Sequence, residues 1–273
     1  MKNVGYGFTF MSIFIPYYGV MILTGLVVGM SIGLLLCKKD KKDINDFILL
    51  VSFTGLGAII GAKLLFLIVS LPEINIRRFI TDYKYFSTYM QGGFVFYGGL
   101  IGGLMSCFFG ARATKVNMKD YLPIGMPGVA IAHGFGRLGC HLVGCCYGIK
   151  YDGPFYRVYS HSPFAPNHVQ LFPVQEVEAL FEFFIALLLL YVYLKVTTKY
   201  DVMIMIYLLS YSIIRFILEF FRGDAVRGFV GYLSTSQVIS LLLVLIVLFY
   251  YLKKYKKRGI GNYEVYSMWK RNR

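Results

Sequence analysis

The chain has 273 residues, 57% of them hydrophobic and only 15% charged, and its mean hydropathy is +0.62. A soluble domain carries about a quarter of its residues as charges, so this composition excludes an ordinary soluble fold and defines a polytopic membrane protein. The net charge of +14 falls mostly beside apolar segments, which points to anionic lipid as the partner and away from nucleic acid.

Apolar stretches long enough to cross a bilayer, about 18 to 25 residues, occur at 13–37, 46–71, 92–111, 121–145, 174–195, 202–221 and 232–252. The first is too long for a leader's apolar region and is preceded only by Lys2, so it is expected to remain as a span. Lysine and arginine then follow every second span. Lys38, Lys39, Lys41 and Lys42 follow the first, Arg112, Lys115 and Lys119 the third, and Lys195 and Lys199 the fifth; a cluster beginning at Lys253 follows the seventh. Short cytoplasmic loops retain positive charge. The expected architecture is therefore all-α, with seven transmembrane helices, the N-terminus outside and the C-terminus cytoplasmic. Residues 1–273 read as a single integral membrane domain ending in a basic cytoplasmic tail, 253–273. The segment 147–173, rich in tyrosine, phenylalanine and proline, reads as a small extracytoplasmic head or lid, although such aromatics also suit the membrane interface.

Glycines recur at helical spacing: Gly25, Gly29 and Gly33, then Gly57 and Gly61, then Gly98, Gly99, Gly102 and Gly103. Close helix packing accounts for the first two sets, whereas the third set opens with a glycine-rich run from Gly92 that suits irregular backbone lining a cavity.

The richest segment for chemistry is His133 to Gly148. His133, Arg137 and His141 are spaced i, i+4, i+8 and so share one helix face, while Gly134, Gly136 and Gly139 let another group approach closely. An arginine at bilayer depth costs roughly 2.5 to 3.5 kcal/mol on insertion scales, so Arg137 needs a partner, and an anionic headgroup is one. Arg215, Glu219 and Arg222 form a second cluster, in which Glu219 can neutralise one arginine and leave the other for a phosphate. Lys63 is a third intramembrane cation, for which snorkelling is the alternative. The segment Pro173-Val-Gln175-Glu-Val-Glu178 opens the fifth span, where carboxylates also favour a helix N-terminus. Cys140, Cys145 and Cys146 read as small packed residues, and their spacing with His141 matches no common zinc pattern, so no metal is expected.

In this order the segments resemble the prolipoprotein diacylglyceryl transferase family. Pro16-Tyr-Tyr18-Gly19 is similar to its opening Tyr-Gly segment, Gly61-Ala-Lys63 to its Gly-x-Arg element, and Gly92 to Gly102 to its G-G-x-x-F-H-G-G-L-I-G loop. Gly136-Arg137-Leu-Gly139 through Gly148 resembles G-R-x-G-N-F-x-N-G-E-x-x-G, Pro173 to Glu178 resembles P-x-Q-x-Y-E, and Arg215 to Asp224 with Ser236-Gln237 resembles R-x-x-x-E-F-x-R-x-P-D and S-x-G-Q.

The resemblance implies transfer of diacylglyceryl from phosphatidylglycerol to the lipobox cysteine of a prolipoprotein signal peptide, in the bacterial plasma (inner) membrane, with no cofactor and no metal. By motif position Arg137 and Arg222 hold the phosphate. Tyr18, Lys63, Gly98, Gly99, Gly139, Gln175, Glu178, Arg215 and Glu219 surround the substrate. The chain departs from the pattern where the family's histidine is Tyr97, its asparagines are Cys140 and Val143, and its glutamate is Cys145. A phenol, with an ordinary pKa of about 10, is a poor base, so His133 and His141 join Tyr97 as candidate catalytic residues. A paralogue with another acceptor, or a non-catalytic phospholipid-binding protein, is the alternative those departures leave open.

Overall fold

The computed structural model describes residues 6–11, 13–91, 93, 95–224 and 228–271, with the side chains of residues 13, 91, 96, 97 and 255–271 outside that description. Nine α-helices follow in chain order among the described residues: α1 (Tyr17–Lys39), α2 (Ile44–Ser70), α3 (Ile76–Thr81), α4 (Tyr83–Gln91), α5 (Phe96–Ala113), α6 (Met118–Val143), α7 (Val174–Lys195), α8 (Tyr200–Leu218) and α9 (Thr235–Arg271). Helix is what hydrocarbon demands, because each backbone N–H and C=O must find its partner within the segment. The chain divides into two compact units, one of Met1–Ile32 with Pro123–Arg273, the other of Gly33–Leu122.

Among the described residues, five helices are long and apolar enough to cross a membrane: Tyr17–Lys39, Ile44–Glu73, Val174–Lys195, Tyr200–Phe221 and Thr235–Lys254. The other two expected spans are also helical, as α5 and α6, but neither is among the five. In α6 the reason is visible in the sequence: prolines 123 and 127, His133, Arg137 and His141 dilute its apolar character.

In the unit 33–122, α2 and α5 pack against each other through glycine. A Cβ at Gly61 would stand 2.3 Å from the Gly98 carbonyl, and one at Gly102 would stand 2.3 Å from that of Gly57. Such backbone contact lets van der Waals packing hold helices together where lipid supplies no hydrophobic drive. Gly98 and Gly99 both lie against α2, Gly99 near Ala58 and Ala62. Lys63 spends its ammonium on backbone carbonyls, donating to Tyr89 O at 3.1 Å and Gly93 O at 3.0 Å, with the Phe66 ring 5.0 Å away. The N-terminus of α2 is capped by Asp43, whose carboxylate accepts from the Asn45 N–H at 2.7 Å.

In the other unit, a hairpin of β1 (Gly7–Phe10) and β2 (Ile13–Pro16), with Phe8 opposite Ile15, leads into α1. Helix α1 meets α6 at glycine, where a Cβ on Gly29 would fall 2.7 Å from the Gly128 carbonyl. Helix α8 packs against α7 and α9, and near the start of α8 Asp201 pairs with Lys254 and accepts from Tyr250 Oη at 3.4 Å. A second hairpin, β3 (Phe229–Val230) with β4 (Leu233–Ser234), precedes α9. There Ser234 and Gln237 make a reciprocal capping box: the Ser234 N–H donates to Gln237 Oε1 at 3.0 Å and the Gln237 N–H to Ser234 Oγ at 3.1 Å.

Gly102→Val should therefore lower the thermal unfolding temperature of the detergent-solubilised protein sharply. Gly55→Ala, where nothing lies within 4 Å of the added carbon, should leave it level or raise it by the helix-propensity gain of about 0.5 to 1 kcal/mol. Equal behaviour of the two variants would contradict backbone contact between α2 and α5.

Candidate active site

The polar interior of the larger unit begins as two stripes. Down α6 run His133, Arg137 and His141; along α7 run Glu182, Glu178 and Glu176 in the opposite sense. His133 Nδ1 lies 2.8 Å from Glu182 Oε1, Arg137 Nη2 lies 3.0 Å from Glu178 Oε1, and His141 Nδ1 lies 3.2 Å from Glu176 Oε1. The expected shared face is thus turned toward carboxylates. Tyr207 Oη adds a contact to His133 Nδ1 at 3.2 Å, with the Tyr211 ring stacked obliquely at 4.9 Å.

A second arginine joins the stripes to the end of α8. Arg215 Nη1 donates to Glu178 Oε2 at 3.3 Å, while its Nη2 lies 2.8 Å from Glu219 Oε2 and donates to Ser236 Oγ at 3.1 Å. Glu219 Oε2 is also 3.8 Å from Arg222 Nη1, and Arg222 closes a two-point clasp on Asp224, with Nε to Oδ1 at 2.8 Å and Nη2 to Oδ2. Arg137, Glu178, Arg215, Glu219, Arg222 and Asp224 therefore alternate in sign along one continuous chain. Glu219 sits nearest Arg215, and Asp224 is the principal partner of Arg222.

These charges are deeply enclosed, with 3% of the Glu178 side chain exposed and 7% of Arg215. Removing an ion from water costs several kcal/mol even after relaxation, and only complete pairing offsets it. Two buried donors are left over among the described residues, the Arg137 Nε–H and the Ser212 hydroxyl. Arg137 Nε is buried and has no hydrogen-bond partner among the described residues, a vacancy worth about 1 to 3 kcal/mol to whatever acceptor fills it.

The loop 144–173 is fastened to the arginine end by short ladders. The Ile149 N–H donates to Phe221 O at 2.9 Å and the Gly223 N–H to Tyr147 O at 2.9 Å, forming a bridge between Gly148 and Arg222. Both strands need glycine there, since a Cβ on Gly223 would fall 2.5 Å from the Gly148 carbonyl and one on Gly148 would fall 2.2 Å from that of Phe172. Gln175, nearly fully buried, donates through Nε2 to Cys145 O at 3.0 Å and Tyr159 Oη at 3.4 Å. Tyr159 lies 3.3 Å from His141 Nδ1. Burial, then the nearby Glu176 carboxylate, pushes the Tyr159 phenol well above its ordinary pKa, so it stays protonated and orients the imidazole. Arg157 covers Glu176 from outside.

The turn after α6 brings the sulfurs of Cys140, Cys145 and Cys146 within 4.8 Å of one another, all as free thiols. The turn leads to the Gly148–Arg222 bridge, and Tyr18 packs on Gly139 of the preceding helix.

Of the residues expected from sequence, Tyr18, His133, Arg137, Gly139, His141, Gln175, Glu178, Arg215, Glu219 and Arg222 all belong to this unit. Lys63, Gly98 and Gly99 belong to the other unit, and the Tyr97 side chain lies outside the described residues. Sequence reading passed over Glu182 as a counter-ion, though a carboxylate four residues beyond Glu178 inside an apolar helix is itself a signal. The three cysteines, read from their spacing as small packed residues, come together because of how the turn closes.

A helical membrane protein with paired arginines held in a buried carboxylate frame is the class these features define. The chain belongs to the prolipoprotein diacylglyceryl transferase family, whose model matches residues 6–253. Among curated relatives, the phosphatidylglycerol–prolipoprotein diacylglyceryl transferase of Clostridium tetani is 37% identical over 236 residues, covering 85% of this chain and 90% of its own. The enzyme numbered 2 from Clostridium perfringens is 34% identical over 88% of this chain and 92% of its own. The one from Finegoldia magna is 26% identical over 94% and 98%.

Glu178→Gln removes the charge shared by Arg137 and Arg215 and leaves two buried cations facing each other. It should destabilise the protein by about 3 to 5 kcal/mol, the range for breaking one side of a buried pair, read as a fall in the thermal unfolding temperature in detergent. An unchanged unfolding temperature would mean that Glu178 does not hold the frame together.

Proposed function

We propose that this protein transfers the diacylglyceryl group of phosphatidylglycerol to the thiol of a prolipoprotein's lipobox cysteine. Family membership and the names of the relatives support the reaction. The observation that carries its location is the buried, unpartnered Arg137 Nε in the same ionic chain as Arg222.

In the reaction the acceptor S–H loses its proton and the sulfur attacks the glyceryl carbon. The carbon–oxygen bond to phosphate breaks, and the electron pair leaves with glycerol phosphate. The phosphate goes from one negative charge to two, so donors fixed on its oxygens bind the departing group more strongly than the substrate, which is how a preorganised site lowers a barrier. Arg137 offers its spare Nε–H. Arg222 offers a planar fork that Asp224 fills with the bidentate geometry a phosphate would use. Arg215, Glu178 and Glu219 hold these two in place, and Tyr18, Gly139 and Gln175 shape the surrounding wall. His141, fixed through Nδ1 by Glu176 and Tyr159, and His133, fixed by Glu182, are the imidazoles on this face available to the departing proton. Motif resemblance alone supports adding Lys63, Tyr97, Gly98 and Gly99 to the substrate path. The alternation of basic residues along the sequence supports seven spans in the bacterial plasma membrane, with the N-terminus outside, the segment 147–173 as an extracytoplasmic cover and the basic tail in the cytoplasm.

Purified protein mixed with phosphatidylglycerol and a fluorescent lipobox peptide should yield a peptide heavier by one diacylglyceryl group in mass spectrometry. Arg137→Ala and Arg222→Ala should each reduce the rate by about 100- to 1000-fold, the loss typical of one oxyanion-stabilising donor. No adduct from folded protein, beside an active control enzyme, would overturn the assignment.

A further inference from the structure

The arginine frame leaves three thiols without a task. Cys140 is buried on the last turn of α6 and Cys145 and Cys146 are half-buried in the turn that follows, yet all three sulfurs converge within 4.8 Å. Cys146 has φ +57°, a left-handed conformation that L residues avoid and glycine adopts freely. Gly144, at φ +79°, already reverses the chain, so the side chain at 146 is kept against a backbone preference. The result is a triangle of sulfurs in the stretch of chain between Arg137 on α6 and the bridge of Gly148 with Arg222.

Three thiolates on a tetrahedral zinc ion, with Zn–S bonds of about 2.3 Å, stand about 3.8 Å apart, a contraction that side-chain rotation supplies. Three protein ligands with one open position is the coordination of catalytic zinc, whereas structural zinc is closed by four. Three thiolates with a divalent ion carry one net negative charge, which suits a stretch of chain set between Arg137 and the bridge to Arg222. His141, whose Nδ1 is held by a carboxylate, can take a proton through Nε2 but leaves the thiol in equilibrium with its thiolate. Coordination to zinc, by contrast, deprotonates a thiol outright.

We propose that Cys140, Cys145 and Cys146 bind a thiophilic d10 cation, zinc(II) in class, whose open fourth position takes the acceptor cysteine as a thiolate. This rests on the reading that the acceptor is a thiol. The acceptor's proton passes to His141 or water as the sulfur coordinates. Its lone pair then forms the bond to the glyceryl carbon while the carbon–oxygen bond breaks toward phosphate, and the metal keeps its oxidation state throughout. The ion thus activates the nucleophile while Arg137 and Arg222 receive the leaving group.

The test uses the full chain in detergent, reduced, stripped by a chelator and titrated with cadmium(II), whose thiolate charge-transfer absorption counts sulfurs, followed by competition with zinc(II). One ion per chain with three thiolates is expected, unaffected by the double variant Cys37→Ser, Cys107→Ser. Cys140→Ser should weaken binding at least tenfold. Cys146→Gly should do the same, and because glycine relieves the left-handed backbone, its unfolding temperature should not fall. A lipobox peptide should shift the charge-transfer band, and the same peptide with serine for cysteine should not. Stripping should lower transfer at least tenfold, with zinc restoring it. Absence of saturable one-to-one binding, binding that survives Cys140→Ser together with Cys146→Gly, or full transfer by the stripped protein would each overturn the metal site and leave the transferase reading standing. If the ion binds three thiolates and shifts with the peptide but no lipid moves, the metal site stands and the transferase reading fails.

Discussion

Arginine at bilayer depth is tolerable only if its charge is answered, and in this protein each of three arginines is answered by the same device. Glu178 stands between Arg137 and Arg215, Glu219 between Arg215 and Arg222, and Asp224 closes the end. Three positive and three negative groups cancel, so the helices that carry them can pack in an apolar surrounding without bringing net charge with them. The arrangement also fixes geometry. A guanidinium gripped by two carboxylates has little rotational freedom left, so the N–H groups that remain point in set directions before any ligand arrives.

Local chain chemistry places this frame. The stripe on α6 meets α7 because His133, Arg137 and His141 recur every four residues, and the glycines between them remove the bulk that would hold a neighbour away; Gly134 lies against the Phe183 ring and Gly139 against Tyr18. At the other end, Gly148 and Gly223 allow two backbones to hydrogen-bond side by side, which ties the turn carrying Cys145 and Cys146 to the residue preceding Gly223, Arg222. The capping box of Ser234 and Gln237 starts α9 so that Ser236 reaches Arg215. Sequence-distant segments are therefore joined by short contacts whose residue types are dictated by space or by an orphan backbone donor.

Much of this is legible without coordinates, and the limits have physical reasons. Each of the seven apolar stretches is helical in the structure, five of them long and apolar enough to cross a membrane among the described residues, because a membrane helix must satisfy its own backbone along a continuous apolar run. Hydropathy does not establish α5 and α6 as spans, since α6 turns a polar face inward and so loses the apolar average that marks a span. Helical periodicity correctly puts Arg137 and the two histidines on one face, but a period says nothing of what the face meets, and Glu182 and Glu176 appear as partners only when α7 is laid beside it. Glycine spacing in α1 and α2 signals close packing; the α5 glycines, expected to line a cavity with irregular backbone, are instead helical and lie on α2, which depends on which helix is adjacent. The ammonium of Lys63 ends on two carbonyls of the segment before α5, a contact that no spacing rule along the chain encodes. The cysteines are the extreme case. Their spacing fits no familiar ligand pattern, because the third sulfur is brought round by a left-handed residue, and such backbone is invisible in a string of letters.

A neutral ionic frame raises the question of how it attracts an anion at all. Coulomb attraction to net charge is absent within the chain of six, so recognition must come from local fields and from donors already stripped of water. Arg137 Nε meets that condition, being buried without an acceptor: it was desolvated when the protein folded, and a phosphate oxygen that reaches it gains a charge-assisted hydrogen bond without a further desolvation cost on the protein side. At the other end Asp224 is the carboxylate most easily exchanged, because it alone serves a single arginine, whereas Glu178 and Glu219 each lie within reach of two. A phosphate that displaces Asp224 from Arg222 keeps the fork satisfied and the alternation of charge intact. When the leaving phosphate gains its second negative charge, the same two positions are where that charge is received. The frame thus favours the charge distribution of the reaction's late stages over that of its start, and it does so with side chains that folding has already paid to bury.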